Sequence, residues 1–342
     1  MIVTEIYNGQ GLGNQLWCYV TTRVIAIDSG YKFGIMHPEK FKCLDFMNLD
    51  FGEKVVGGSG PEGGPAKKLP DGIYNYYKEQ SIFHPIDKSD IRIFDPNLIK
   101  ISDNTKIDGL MQDEKYFEHR KEEIKKWLKV RDELDCYDYA NDNICVINFR
   151  GGEYVRHKEL FLDKKYWQDA VINMKKINSN FRFIVITDDT DEAKKFFPDF
   201  EILHFSIGKD YSIVKNAHYL ILSNSSFGWF PAWLSEKLKY AIAPKYWGRH
   251  NTSDGYWSCS YNITKKFAYQ DRYGELYDYE KCIIELNEYM KEHKEYYSAN
   301  LKHEHYNLAK IIMLRIKKNV GSFLSQKSKN RIYKFIGIID EN

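Results

Sequence analysis

Residues Ile2–Tyr7 alternate apolar and polar side chains, the period of a half-buried strand. The run Gly9-Gln10-Gly11-Leu12-Gly13-Asn14-Gln15 reads as a tight turn, and apolar residues then recur at helical spacing from Leu16 to Asp28. Strand, glycine-rich turn and helix open a nucleotide-type α/β unit. Gly57 to Pro65 is the densest breaker cluster in the chain. It lacks the G-K-[ST] ending of a phosphate loop, and it reads as a surface loop. Glu114–Leu128 has the pattern of a charged amphipathic helix, and the polar, interrupted run Arg131–Asn143 marks a domain boundary.

Beyond that boundary the periodicity switches repeatedly between strand and helix. The continuous apolar run Ile144–Phe149 is a buried strand, Arg150–Tyr154 its turn and Lys165–Ile177 a helix. Phe181–Ile186, Glu201–Phe205 and His218–Leu222 read as further strands. Thr190–Phe197, Asp210–Asn216 and Trp229–Lys239 read as the helices between and after them. The alternation predicts a largely parallel sheet with ligand sites at the C-terminal ends of its strands. From about Asp278 onward the chain reads as helical, and Glu304 to Asp340 encloses a stretch with no acidic residue. Its Lys310, Arg315, Lys317, Lys318, Lys327, Lys329, Arg331 and Lys334 interleave with apolar residues. Such a tail fits either an anionic lipid surface or an ordinary packed helix with a solvated basic face.

Composition narrows the class. The 342 residues are 43% hydrophobic and 29% charged, enough for two domains of ordinary size. A net charge of +2 gives no whole-molecule field for nucleic acid. Cys18, Cys43, Cys136, Cys145, Cys259 and Cys282 show no C-x-x-C spacing, so reduced thiols are expected and no metal site. The 26 Tyr residues suit a sugar-handling cleft, and equally a Tyr-rich surface. No signal-peptide pattern opens the sequence and no apolar run reaches the length of a bilayer span, so a cytoplasmic protein is expected.

Four turns carry candidate chemistry. Gly11–Gln15 allows close backbone approach to a ligand, with amides from Asn14 and Gln15; a plain glycine-rich turn is the alternative. Arg150, followed by Gly151 and Gly152, can fork onto a diphosphate, or form a structural ion pair. Asp188-Asp189-Thr190-Asp191 could hold a divalent metal through Asp189-x-Asp191, accept hydrogen bonds from a base or ribose, or simply cap a helix at Asp189. Ser223-Asn224-Ser225-Ser226-Phe227-Gly228-Trp229 places hydroxyls and backbone N–H groups at a helix start, an anion site.

Several of these runs resemble α-1,2-fucosyltransferases, the family 11 glycosyltransferases. Gly11-Leu12-Gly13-Asn14-Gln15-Leu16 is similar to that family's G-G-L-G-N-Q-[LM]-F opening. Gly109 to Phe117 resembles G-Y-F-Q-S-E-K-Y-F, and Ile186-Thr187-Asp188-Asp189 resembles F-S-D-D. Ser223 to Leu234 is close to S-N-S-[ST]-F-S-W-W-G-A-W-L, with Ile242-Ala243-Pro244-Lys245 and Trp247 following in order. The family's H-x-R-R-G-D-Y departs to Asn148-Phe149-Arg150-Gly151-Gly152-Glu153-Tyr154, which keeps the first Arg and loses the second.

The resemblance implies two Rossmann-like α/β domains facing a cleft, the GT-B arrangement. An acceptor-side domain would span 1–138, a nucleotide-sugar domain 139–277 and a helical basic tail 278–342. It implies inverting, metal-independent transfer of L-fucose from GDP-fucose to an oligosaccharide acceptor, which could be lipid-linked. Arg150, Asn14 and Glu153 would be catalytic, with Asp113 a second candidate for the base. Arg150, Gly152, Asp188, Asp189, Asn224, Ser225, Ser226 and Phe227 would bind the nucleotide sugar. Gly13, Asn14, Gln15 and Gln112 would meet the substrate. Another nucleotide-sugar donor, a metal-dependent transferase and a non-catalytic carbohydrate-binding relative are the alternatives.

Overall fold

The computed structural model describes residues 1–58, 69–83, 90–258 and 262–294. The opening unit forms as the periodicity predicts, with strand β1 (Ile2–Glu5) feeding helix α1 (Leu12–Asp28). The helix begins at Leu12, so Leu12 to Gln15 form its first turn rather than the preceding loop. Gly9 supplies the left-handed residue of that loop, at φ +85°. Three short strands without clear alternation then complete a first sheet. They are β2 (Phe33–Met36), β3 (Asn75–Lys78) and, after the antiparallel hairpin β4 (Ser81–Phe83) and β5 (Asp90–Arg92), β6 (Thr105–Asp108). The order is β2-β1-β6-β3, all parallel. The expected helix Glu114–Leu128 breaks into 3-10 turns at Glu114–Tyr116 and Glu118–Arg120, and only α2 (Lys121–Trp127) is α-helical.

The second sheet follows the predicted alternation closely. Strand β7 (Ile144–Phe149) leads to α3 (Lys164–Ile177), β8 (Arg182–Thr187), α4 (Thr190–Phe196) and β9 (Glu201–Leu203). Then come α5 (Ile207–Asn216), β10 (Tyr219–Leu222), α6 (Ser226–Leu234) and β11 (Tyr240–Pro244). Strands β12 (Ala268–Gln270) and β13 (Leu276–Tyr277) and helix α7 (Tyr279–Glu292) close the described chain. The order is β13-β12-β11-β10-β7-β8-β9, parallel except at the β12–β13 edge. Strand order reverses between β7 and β10, and this switch point is where an open parallel sheet leaves a crevice.

The strands of this sheet are apolar on both faces. Cys145, Ile147, Phe149, Val185, Ile221 and Ile242 pack under Tyr166, Trp167, Ala170 and Met174 of α3. The alternate residues Val146, Ile184, Ile186, Leu220 and Leu222 join a larger core with α5, α6 and α1. That core welds the two sheets together. The ring of Trp17 of α1 lies tilted 4.3 Å from that of Trp229 of α6, Trp229 lies 5.3 Å from Trp233, and Phe117 lies 6.0 Å from Phe230. Such pairs each contribute about 0.5–1.5 kcal/mol beyond their buried area. All described residues, with both sheets, lie in one compact unit.

Among the described residues no helix is long and apolar enough to cross a membrane, and Cys18, Cys43, Cys136, Cys145 and Cys282 are free thiols. Most of the glycine-rich 57–65 loop, Cys259 and the basic tail beyond residue 294 lie outside the described residues.

Candidate active site

A cavity of about 420 Å³ lies where the C-terminal edge of the second sheet meets the start of α1. Its walls come from the ends of β10 (Ser225, Ser226, Phe227), β7 (Asn148, Arg150, Glu153, Tyr154), β8 (Ile186, Thr187, Asp188) and β9 (His204, Ile207, Asp210). Gly9, Gly11, Leu12, Gly13 and Asn14 close it from α1, with Lys42 from the following loop.

Two helix N-termini point into this cavity. Helix α6 is capped by Ser225, whose side chain accepts from Phe227 N at 3.3 Å. Helix α1 starts just after Gly11, which gives it no side-chain cap. The two ends touch: a Cβ on Gly13 would lie 2.3 Å from the carbonyl carbon of Ser226. Only glycine permits this approach. Backbone N–H groups and positive dipole ends therefore converge, and such an arrangement attracts anions.

Arg150 stands beside them at the end of β7. One arm of its guanidinium is ion-paired with Asp188, and Nη2 donates to Glu153 Oε1 at 3.2 Å. Its Cζ lies 5.4 Å from the centre of the Tyr154 ring. The buried Nε has no hydrogen-bond partner among the described residues. A buried donor without an acceptor costs about 1–3 kcal/mol.

The Asp pair after β8 builds the Arg150 turn. Asp188 accepts from Gly151 N at 3.0 Å as well as from Arg150. Asp189 accepts from Gly152 N at 3.2 Å and caps α4 through Glu192 N at 3.0 Å. Asp188 reaches the cavity wall; Asp189 does not line it. Asp191 is exposed and pairs with Lys194 at 3.6 Å, so the two carboxylates of Asp189-x-Asp191 are separately engaged. Among the described residues no three His, Cys, Asp or Glu side chains cluster to hold a metal ion.

The geometry also explains the departures at the Arg150 turn. A Cβ at Gly151 would sit 2.6 Å from Asp189 Cβ, so a second Arg does not fit here without movement of that loop. Gly152 adopts φ +49° with Asp188 Oδ2 2.7 Å from where its Cβ would be. Asn148 is a buried residue of the cavity wall, with its Oδ1 2.5 Å from where a Cβ on Gly228 would be.

Several other predicted residues act one layer out. Gln15 is buried and bridges Lys40 O and Lys42 N, each at 2.9 Å, which holds the loop that presents Lys42. Gln112 Nε2 donates to Asn14 Oδ1 at 2.8 Å and fixes that amide at the cavity wall. Asn224 Nδ2 donates to Leu160 O at 2.7 Å and ties the β10 turn to the loop before α3. Gly152, Gln15, Gln112 and Asn224 do not line the cavity. Asp113 is also absent from its walls; it caps a 3-10 turn through Lys115 N at 2.9 Å, and burial pushes its carboxyl up to about 8.

Sequence reasoning missed Lys42, Tyr154, His204 and Asp210. Lys42 sits in an irregular loop with no readable pattern. Tyr154 is half-buried, and that burial pushes its phenol above the ordinary range. His204 lies inside the predicted strand Glu201–Phe205; in the structure β9 ends at Leu203, so His204 follows its strand as Arg150 and Asp188 follow theirs.

Fold and site define an α/β protein with an anion-seeking crevice at a topological switch point. Residues 108–254 match the family model "Glycosyl transferase family 11". Over 158 residues it is 29% identical to an α-1,2-colitosyltransferase of Escherichia coli; the match covers 41% of this chain and 54% of that protein. The chain thus spans about half the length of this curated relative. Among solved structures, the NodZ α-1,6-fucosyltransferase soaked with GDP-fucose aligns with 68% of this chain and 92% of its own, at 14% identity and TM-score 0.39. A family 9 glycosyltransferase from Veillonella parvula aligns with 76% of this chain and 83% of its own, at 12% identity and TM-score 0.39.

Proposed function

We propose that the chain is an inverting glycosyltransferase that moves L-fucose from GDP-fucose to a glycan hydroxyl, often of galactose, in α-1,2 linkage and without a metal. The two sheets would act as the facing halves of a GT-B cleft, divided near residue 138. The observation that carries this reading is Arg150 on the cavity wall beside the touching N-termini of α1 and α6. In the reaction the acceptor oxygen attacks the anomeric carbon, the bond to the β-phosphate breaks and GDP departs with the bonding electrons. Negative charge grows on the leaving oxygen. Arg150 and the helix-end N–H groups favour that state over the ground state, which is what acceleration requires. Lys42 adds a cation from the opposite wall.

Glu153 would give up its exposed contact with Arg150 and take the acceptor's proton. Asn14, fixed by Gln112, would orient a hydroxyl of either substrate. Surface polysaccharide or O-antigen synthesis would use such a product, and the basic tail would hold the enzyme against the inner face of the cytoplasmic membrane.

A second reading, transfer of a colitosyl group, is supported by the Escherichia coli relative. The discriminating experiment titrates the protein with GDP, UDP and dTDP and then supplies the fucosyl and colitosyl donors of the nucleotide that binds. Selective GDP binding with transfer in the presence of a chelator is expected. A preference for UDP would overturn the donor assignment. Failure to bind any nucleotide would point to a carbohydrate-binding relative.

A further inference from the structure

His204 and Asp210 form a dyad on the cavity wall that the chemistry above does not use. His204 follows β9 and is half-exposed, whereas Asp210, in the first turn of α5, is 5% exposed. The His204 ring nitrogen Nδ1 lies 3.1 Å from Asp210 Oδ2, and Asp210 Oδ1 accepts from Phe205 N at 3.1 Å. A buried carboxylate so engaged fixes the tautomer and tilt of the imidazole. It accepts a hydrogen bond from Nδ1–H and leaves the Nε2 edge for a ligand in the cavity. Ile207, an exposed apolar side chain, lines the same wall.

The position of the dyad says which part of a ligand it meets. The anion-seeking groups are at β7 and β10, and the cavity extends from them across β8 to β9. It takes no wall from β11, β12 or β13, so a ligand anchored by its phosphates at Arg150 has one direction in which to run. Adjacent strands are about 4.8 Å apart, which sets β9 roughly 10 Å from β7. A ribose and base reach over that span from their own diphosphate.

We propose that His204 hydrogen-bonds the nucleoside of the donor through Nε2, that Ile207 packs against the nucleoside's apolar face, and that Asp210 is the positioning residue that holds His204. This rests on the nucleotide-sugar reading above. The test is calorimetric titration of the full chain with GDP and, separately, with inorganic pyrophosphate. For His204→Ala the expected result is a loss of GDP affinity of about 10-fold or more, with pyrophosphate affinity unchanged. His204→Gln should recover part of the loss, and Asp210→Asn should weaken GDP and spare pyrophosphate. Should Asp210→Asn fail to fold, the exposed His204 variants still decide. Unchanged GDP affinity in a folded His204→Ala protein overturns the inference and leaves the donor reading intact. Equal losses for GDP and pyrophosphate overturn it too, because His204 would then meet the phosphates. Wild-type protein that binds pyrophosphate but no nucleotide overturns the donor reading itself, and the inference with it.

Discussion

Helices α1 and α6 bring their N-termini to the same cavity by opposite means. The start of α6 is built from side chains: Ser225 caps it, and Phe227, Trp229, Phe230 and Trp233 lock the helix into the core. The start of α1 is built from their absence, with Gly9, Gly11 and Gly13 around an uncapped turn. One end is held by what its residues contribute, the other by what they leave out. Gly13 shows why both are needed, since a single methyl group there would meet the backbone of Ser226. A glycine-rich turn can thus serve a site by letting a second helix end arrive, with no side-chain cap of its own.

Substitutions separate the two contributions. The largest effect is expected at Arg150, which adds charge to both helix ends: Arg150→Ala should lower transfer from GDP-fucose about 10²-fold or more with little change in melting temperature. Arg150→Lys should recover little, because an ammonium cannot fork across two phosphate oxygens. Near-normal turnover by a folded Arg150→Ala enzyme would place the diphosphate elsewhere. Next comes Gly13→Ala, which should cost about 1–3 kcal/mol of stability by forcing α1 and α6 apart, and should reduce nucleotide affinity as well. Unchanged melting and binding would show that the helix ends need not touch.

Ser225→Ala removes the α6 cap and should cost about 1 kcal/mol, seen as a lower melting temperature, with Ser225→Gly milder. The smallest expected effect is on pH dependence beside the aromatic layer. Trp233 Nε1 donates to Glu114 Oε2 at 2.9 Å, and burial holds the Glu114 carboxyl up to about 8, against an ordinary 4.5. The native state therefore keeps a proton that the unfolded chain releases. The stability this group adds is fully present below about 4.5 and is lost as pH climbs through 8. Asp113 and Glu79, pushed up to about 8 and about 7 by burial, act in the same direction. His250, lowered by burial from 6.5 to about 4, opposes them only below 6.5. Melting temperature should thus fall between pH 6.5 and 8, and less steeply in Glu114→Gln. Identical slopes would mean that Glu114 is ionised in the fold.

The same contrast explains how much the sequence discloses. The second sheet was legible because each strand is a dense apolar run closed by a polar turn. Ile144–Phe149 begins and ends where the pattern says. The first sheet was largely illegible beyond β1. Strands β2, β3 and β6 are four residues each without clear alternation, and their pairing in the β1 sheet is decided by tertiary contact. At the site, Arg150 and the Ser225 loop could be read because a strand end concentrates chemistry. The roles of Gln15, Asn224 and Asp189 could not, because an amide or carboxylate that braces a loop has the same letter as one that touches ligand. The dyad of His204 and Asp210 spans a strand end and a helix, and only folding brings its members to 3.1 Å.

The central claim is that a nucleoside diphosphate lies with its phosphates between Arg150 and the converging ends of α1 and α6. The direct measurement is a crystal structure of the full chain with GDP. Phosphate oxygens should lie within about 3.2 Å of the Arg150 guanidinium and of backbone N–H groups at the starts of both helices. GDP bound with its phosphates away from Arg150, or in contact with neither helix end, would contradict the account.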